Sequence, residues 1–165
     1  LFSTHLTISP QKSFPTRTIT SEKKNGKVIP VETDTHIAGI MEFDNGAAGT
    51  IITSFDIWRA DNPRIEIYGT KGSMQVPDPN GFSGPVKISH GSGQWEEVPV
   101  TRPYTVNSRG LGVWDMARAL RLGSAHRTNS DFAYHVLDIM LGFTDSSRSN
   151  SFYFPHSSCE RPAAM

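Results

Sequence analysis

A carboxylate and an imidazole stand four positions apart near the end of the chain, at Asp131 and His135. On a helix this spacing places both side chains on one face, where the pair could handle a substrate proton. Thr128 and Asp131, however, also have the spacing of a helix capping box. We favour the cap for Asp131 and a packed or hydrogen-bonded role for His135, and we keep His135 as a candidate substrate-lining residue.

The other residue types that carry chemistry lack the spacing that their chemistry needs. The six histidines are scattered, with no His-x-His and no cysteine pair, so no zinc site is predicted. No Gly-x-Ser-x-Gly nucleophile elbow is present, and Cys159 lacks a basic neighbour that would activate it. No strand leads through Gly-x-Gly-x-x-Gly into a helix. We therefore assign no catalytic, cofactor-binding or metal-ligating residue.

Two short segments could contact a small polar ligand. Trp58 and Arg59 follow a long predicted strand and would present an aromatic face and a fork of hydrogen-bond donors. Asn107 and Arg109 precede a predicted helix and offer similar donors. Residues of these types are more often structural, but these four and His135 are the candidate substrate-lining residues.

The strand that carries Trp58 belongs to a predicted β-hairpin that turns at Asp44-Asn45-Gly46. A two-residue turn would mix apolar and polar side chains on each face. A three-residue loop with a left-handed Gly46 pairs Phe43 with Ala47. In this register the apolar side chains lie on one face and most of the polar ones on the other. We therefore favour this loop, which collects an apolar face that we predict to be core. Its members are Ile37, Gly39, Met41, Phe43, Ala47, Gly49, Ile51, Phe55 and Ile57, with Thr53 as the one polar residue.

The opposite face of the hairpin is mixed, too polar for a second core and too apolar for a typical solvated surface. Such a face suits contact with another subunit or domain. An ordinary solvated sheet face is the alternative, and the sequence leaves both open. The candidate interface residues are His36, Ile40, Thr50, Ile52, Ser54 and Trp58.

The remaining pattern places strands first and helices last. A second hairpin spans 64–76, and shorter strands are predicted at 17–20, 27–31, 85–88, 95–100 and 151–154. One helix begins at a cap on Asn107 or Ser108 and ends at Gly123, and the other begins at the Thr128 capping box. This order predicts an α+β fold, a mostly antiparallel open β-sheet with two C-terminal helices packed on one face.

Composition narrows the class of protein. The chain has 165 residues, enough for one domain with a core, and its 16 basic and 16 acidic residues indicate neither a nucleic-acid nor a membrane partner. A single cysteine and the lack of a long apolar run indicate a cytoplasmic protein. Residues 1–16 are predicted to be an irregular N-terminal segment before a domain at 17–165. The missing initial methionine favours a fragment or a trimmed chain.

Several segments together resemble the C-terminal domain of the Gfo/Idh/MocA oxidoreductases. They are Phe43-Asp44-Asn45-Gly46-Ala47, Thr53-Ser54-Phe55, Ile65 through Met74, Asn107-Ser108-Arg109-Gly110, Asp115-Met116-Ala117, His126-Arg127, Tyr134 through Met140 and Glu160-Arg161-Pro162. The resemblance implies the same α+β fold and NAD(P)-dependent oxidation or reduction of a sugar or cyclitol hydroxyl. In that family an N-terminal Rossmann domain holds the nucleotide, and that domain is absent from this chain.

The resemblance therefore predicts a substrate-facing and oligomerisation domain. NAD or NADP would serve the full-length enzyme, and we expect neither to bind this chain alone, which should be inactive. Expected partners are a sugar or polyol substrate, the missing Rossmann domain and further copies of the chain through the mixed sheet face. The alternative is a stand-alone carbohydrate-binding or protein-interaction module with the same fold.

Overall fold

The structure, a computed structural model, describes residues 7–8, 11–91, 93–106 and 109–164. Within these ranges the strands are β1 (Thr7–Ile8), β2 (Thr16–Thr18), β3 (Val28–Pro30), β4 (His36–Glu42), β5 (Ala48–Ser54), β6 (Ile65–Gly69), β7 (Gly72–Val76), β8 (Val86–Ser89) and β9 (Glu96–Val98). The helices are α1 (Leu111–Leu122), α2 (Ser130–Ser149) and a short 3-10 helix, Glu22–Lys24. The chain divides into two compact units, one formed by 1–58 with 127–162 and the other by 59–126 with 163–165.

The predicted fold class is confirmed: every strand pair that the structure describes is antiparallel, and both α-helices follow the strands. The strands are divided among three sheets, with the orders β1-β4-β5, β2-β3 and β6-β7-β8-β9. Helix α2 belongs to the first unit, where it lies against β1, and α1 belongs to the second. Strand β1 and a bridge from Gln11 to His36 fall within the segment predicted to be irregular. The domain boundary at residue 17 stays a prediction.

The β4–β5 hairpin has the predicted three-residue loop. Its register continues to Phe43 and Ala47, where the Phe43 N–H donates to the Ala47 carbonyl at 2.9 Å. Gly46 has a φ of 83°, a left-handed conformation in which glycine avoids a Cβ clash, and its N–H donates to the Phe43 carbonyl at 2.8 Å. The turn length therefore sets which side chains share a face.

The apolar face of this hairpin is only partly buried, and its predicted end is wrong. Gly39 is buried and Ile37, Met41 and Ile51 are half-buried, but Phe55 is 82% exposed. The alternation stops because β5 ends at Ser54, whose Oγ accepts the Asp56 N–H at 3.0 Å and turns the backbone. The next apolar side chain, Ile57, is also exposed.

Helix α2 begins one residue later than the predicted capping box requires. The side chain of Asn129 accepts the Phe132 N–H at 2.9 Å, so Asn129 is the cap and the predicted pair of Thr128 and Asp131 is wrong. Asp131 stays in the first turn, where its negative charge favours the helix N-terminus. The helix ends at Asn150, which has a left-handed φ of 49°.

The cap predicts a difference between two neighbouring substitutions. Asn129→Ala removes the acceptor for the Phe132 N–H and should lower the free energy of unfolding by about 1 kcal/mol. Thr128→Ala, which alters the residue that the capping box would use, should change it by less than about 0.5 kcal/mol. Urea denaturation followed by circular dichroism measures both. Equal losses would contradict the assignment of the cap.

The second unit contains the β6-to-β9 sheet and α1. The β6–β7 hairpin is confirmed, with Gly69 paired to Gly72 across Thr70 and Lys71. Helix α1 ends at Gly123, as predicted, with a left-handed φ of 63°. Its N-cap is Gly110, which makes no side-chain cap, and the predicted caps Asn107 and Ser108 lie outside the described residues.

The C-terminal tail is irregular in the residues that the structure describes. The strand predicted at 151–154 is absent there. The backbone of Ser151 bonds to Ser146 of α2 and the Tyr153 hydroxyl donates to Asp138, and the segment forms no ladder with a sheet.

Candidate functional site

Two of the predicted substrate-lining residues are neighbours in the chain but belong to different units. Trp58 ends the first unit and is 96% exposed, and Arg59 begins the second. The Arg59 guanidinium pairs with Asp61 at 3.2 Å, with both side chains more than 80% exposed. Both are open to a ligand, and an exposed ion pair of this kind contributes little to stability.

Of the other candidate pair, Asn107 and Arg109, only Arg109 lies in the described part of the chain. Arg109 is exposed, and its guanidinium carbon lies 5.9 Å from the centre of the Phe82 ring, a cation–π contact within the second unit. This contact holds the side chain near the start of α1.

His135 is buried, which favours its interpretation as a packed histidine. Only 3% of the residue is exposed, and its Nδ1 lies 2.9 Å from the Ser157 hydroxyl. Asp131, four positions earlier, is exposed on α2. Asp131 and His135 therefore do not form a shared site at the surface.

Sequence reasoning missed a buried carboxylate one helical turn along, Asp138, to which His135 is linked through the Ser157 hydroxyl. Asp138 is 7% exposed and accepts three hydrogen bonds from the tail. Tyr153 Oη donates to its Oδ1 at 2.5 Å, and the Ser157 N–H and Oγ donate to its Oδ2 at 2.8 and 2.6 Å. We call His135, Asp138, Tyr153 and Ser157 the Asp138 network. Its only sequence signal is the i, i+3 spacing of His135 and Asp138.

The direction of the hydrogen bonds shows what the Asp138 network can do. The single Ser157 hydroxyl proton points to Asp138, so His135 Nδ1 must carry the proton that it shares with the Ser157 oxygen. A nucleophilic serine would instead donate to the imidazole. The network therefore anchors the tail to α2 and does not activate a nucleophile.

The charges in this network shift two pKa values. Burial alone would raise the pKa of Asp138, but the hydrogen bonds from Ser157 and Tyr153 hold it below its ordinary value. The hydrogen bond to Asp138, together with burial and the nearby negative charge, raises the pKa of Tyr153 to about 12.

The Tyr153 shift predicts a loss of stability at high pH. The folded state favours the neutral phenol, so its contribution is complete below pH 10 and is lost as the pH rises towards about 12. The hydrogen bond to Glu66 also raises the pKa of Tyr68, so a titration of absorbance at 295 nm should show Tyr153 ionising last of the four tyrosines, near pH 12. Tyr153→Phe should remove that late step. Its persistence in Tyr153→Phe would refute the assignment.

A second polar cluster fixes the end of β5, directly before Trp58. Thr35 Oγ1 donates to Asp56 Oδ2 at 2.5 Å, and Arg17 forms an ion pair with Asp56 and donates to the Phe55 carbonyl at 2.9 Å. The Thr35 hydrogen bond is the main reason why the pKa of Asp56 lies below its ordinary value. The cluster gives the segment before the exposed Trp58 a defined conformation.

The candidate interface residues on β4 and β5 share one sheet face, as predicted. The register pairs Ile40 with Thr50 and His36 with Ser54, and His36 Nδ1 lies 3.0 Å from Ser54 Oγ. Ile40 and Ile52 are 46% and 62% exposed on this face.

Two further observations concern the described residues only. No three or more histidine, cysteine, aspartate or glutamate side chains among them are arranged to hold a metal ion. None of their helices is long and apolar enough to cross a membrane.

Known structures share this fold. A levoglucosan dehydrogenase in complex with NADH aligns with a TM-score of 0.73 and 17% identity, covering 95% of this chain and 46% of that chain. An NAD binding oxidoreductase from Klebsiella pneumoniae gives 0.68 and 16%, with 95% and 46% covered. An oxidoreductase domain protein from Kribbella flavida gives 0.67 and 18%, with 93% and 44% covered. The chain therefore spans less than half the length of these structures.

Residues 6–75 match the family model of the GFO/IDH/MocA C-terminal domain. The predicted resemblance to this domain is thereby confirmed. No curated protein matches the chain.

Proposed function

We propose that this chain is the substrate-facing and oligomerisation domain of an NAD(P)-dependent oxidoreductase that acts on a sugar or cyclitol hydroxyl. The observation that carries the proposal is the alignment of 94–95% of the chain with structures of levoglucosan dehydrogenase, among them complexes with NADH, with levoglucosan and with L-sorbose. Because the chain spans under half of those structures, the nicotinamide would be held by residues outside it. We also propose a cytoplasmic location, which the single cysteine supports.

Exposed apolar side chains support a domain that is covered in its working form. Ile52 and Trp58 in the first unit are 62% and 96% exposed, and Val113 and Leu120 in the second are 73% and 77% exposed. Exposed apolar surface of this kind often marks a site of contact with another protein or domain. We therefore expect both a companion domain and further copies of the chain as partners.

Exposed donors and an aromatic ring support the substrate-facing role. Trp58, Arg59 and Arg109 are accessible, and Asn107 remains a candidate through its place in the sequence. In this proposal the Trp58 indole of the first unit is suited to packing against the apolar face of a sugar ring. Separately, the Arg59 and Arg109 guanidinium groups of the second unit are suited to donating to hydroxyl oxygens. His135, being buried, would act only by supporting the tail.

A nucleotide-binding measurement tests the proposal that residues outside this chain hold the cofactor. Calorimetric titration of the chain with NADH and NADPH should show no heat of binding, because hydride transfer needs cofactor and substrate held in one geometry by both halves. Binding in the micromolar range would overturn the proposal. The coding sequence upstream of Leu1 separates the enzyme from a stand-alone carbohydrate-binding or protein-interaction module. An in-frame Gly-x-Gly-x-x-Gly between a predicted strand and a helix supports the enzyme, and an open frame lacking it favours the module.

The oligomerisation role predicts that a charge on the mixed sheet face weakens association. Ile52→Lys should raise the dissociation constant at least tenfold, since a lysine buried against another copy costs more than about 1.4 kcal/mol. Light scattering over a concentration series measures it. Val28→Lys is the matched control, because Val28 is 59% exposed on β3, outside that sheet. A chain that is monomeric at every concentration would refute the role of this face.

A further inference from the structure

Helix α1 carries an aromatic and basic surface that the proposed function does not use. Two concave regions of 410 and 340 Å³ share Trp114 as a wall. The larger is lined by Trp114, Ala117, Arg118, Arg121 and Leu122, and the smaller by Tyr104, Gly110, Leu111 and Trp114. All of these residues lie in the second unit. We call this surface the Trp114 groove.

The groove has the geometry of a small binding surface. Trp114, Arg118 and Arg121 follow one another at i, i+4 and i+7 and therefore share a helix face. The Arg118 guanidinium carbon lies 5.9 Å from the Trp114 ring, and the Tyr104 ring lies 6.0 Å from it at a tilt of 48°. Trp114 is 47% and Tyr104 41% exposed, so both rings remain accessible.

The backbone at Tyr104 is strained in a way that favours this arrangement. Its φ of 69° is left-handed, a conformation that an aromatic residue rarely adopts. Such strain persists only where the surroundings hold it, and it occurs often at ligand sites. Here it accompanies a tyrosine ring placed beside Trp114.

The positive charges of Arg118 and Arg121 favour an anionic ligand in the groove. Neither Arg118 nor Arg121 has an ion-pair partner among the residues that the structure describes. Two guanidinium groups three positions apart on one helix repel each other, and an anion between them would relieve that repulsion. A guanidinium offers paired donors that fit a carboxylate or a phosphate.

We propose that the Trp114 groove binds a monosaccharide that carries an acid group, either a carboxylate or a phosphate. The sugar ring packs against the exposed indole, and the acid group accepts hydrogen bonds from Arg118 and Arg121. The larger concavity lies within the usual size range of small-molecule sites. A neutral sugar would offer the arginines only uncharged hydroxyl acceptors, and inorganic phosphate would leave the indole unused, so both should bind more weakly.

Nuclear magnetic resonance of the tryptophan indole N–H groups tests the ligand class. The chain has three tryptophans, and Trp114→Phe identifies the signal of interest. Titration with glucuronate and with glucose 6-phosphate should shift the Trp114 signal to saturation, and a preference for one acid group identifies it. Glucose and inorganic phosphate should each bind at least tenfold more weakly. Equal binding of glucose, or of inorganic phosphate, would overturn the proposal, as would the absence of any shift at Trp114.

Variants of the two arginines test the positions of the charges. Arg118→Gln and Arg121→Gln should each weaken binding of the acid sugar about tenfold, the loss of one charge-assisted hydrogen bond. Arg148→Gln is the matched control, since Arg148 stands in the last turn of α2 as Arg121 does in α1, and it should leave binding unchanged. Circular dichroism checks that all three remain folded, and Arg121→Lys provides a second, charge-preserving variant that should retain part of the affinity. Unchanged affinity in both glutamine variants would refute the site.

Discussion

Gly142→Ala is expected to destabilise the chain by about 3 kcal/mol, although alanine in a helix interior is normally more stable than glycine by up to about 1 kcal/mol. A Cβ at Gly142 would lie 2.3 and 2.5 Å from the Cδ1 and Cε1 atoms of Tyr153. Gly142 is buried and Tyr153 is half-buried, and the tyrosine ring is held by its hydrogen bond to Asp138. The ring must therefore move, which adds overpacking strain and weakens that hydrogen bond.

Two further variants separate the clash from the effect of helix propensity. Gly112→Ala on α1 meets no atom within 4 Å, so it should be neutral or slightly stabilising. Gly142→Ala made in a Tyr153→Ala background should lose most of its penalty, because the ring that it strikes is gone. Urea denaturation of the single and double variants measures the free energies of unfolding. A full 3 kcal/mol penalty in the Tyr153→Ala background would refute the clash.

Asp138→Asn is expected to cost about 3 kcal/mol of stability. The amide has one acceptor oxygen where the carboxylate has two, so it cannot accept from Tyr153 on one side and from Ser157 on the other. One of the buried donors would then face the new amide group. Leaving such a group unsatisfied costs about 1–3 kcal/mol, and the lost hydrogen bonds to a charged acceptor add to this.

The control for this substitution lies on the same helix. Asp145→Asn removes an exposed carboxylate whose nearest partner, Arg148, is 4.0 Å away, and it should change stability by less than about 0.5 kcal/mol. Ser157→Ala combined with Asp138→Asn should show strong coupling, since both substitutions remove the same hydrogen bonds. Additive losses, or equal losses at Asp138 and Asp145, would show that the tail does not depend on this carboxylate.

Features that are determined by residues close together in the chain were predicted from the sequence more accurately than features that depend on distant residues. The β4–β5 turn was predicted correctly because Gly46 and the alternation around it define the register within a few residues. The α2 cap was misplaced because Asn129 adjoins the Thr128 and Asp131 spacing, and cap geometry alone separates them. Phe55 was wrongly placed in the core because Asp56 turns the chain towards Thr35, twenty-one residues away.

The Asp138 network lay beyond prediction for the same reason. It joins α2 to an irregular tail through contacts fifteen to twenty-two residues apart, and the tail has no periodicity that would reveal them. A strand was therefore predicted at 151–154 from residue types alone. The Trp114 groove was missed because Trp114 also fits an apolar helix stripe, and only the structure shows that this side of α1 is exposed.

A change in the length of the loop at residues 44–46 during evolution would alter which side chains form the outer face of this hairpin. Loss of one loop residue would shift the pairing by a single step, and every side chain of β5 would then emerge on the opposite side relative to those of β4. Ile52 would turn inward and Ile51 outward without any change in either residue. Homologues with a shorter loop should therefore present a different outer surface and assemble differently, even where their strand sequences are conserved.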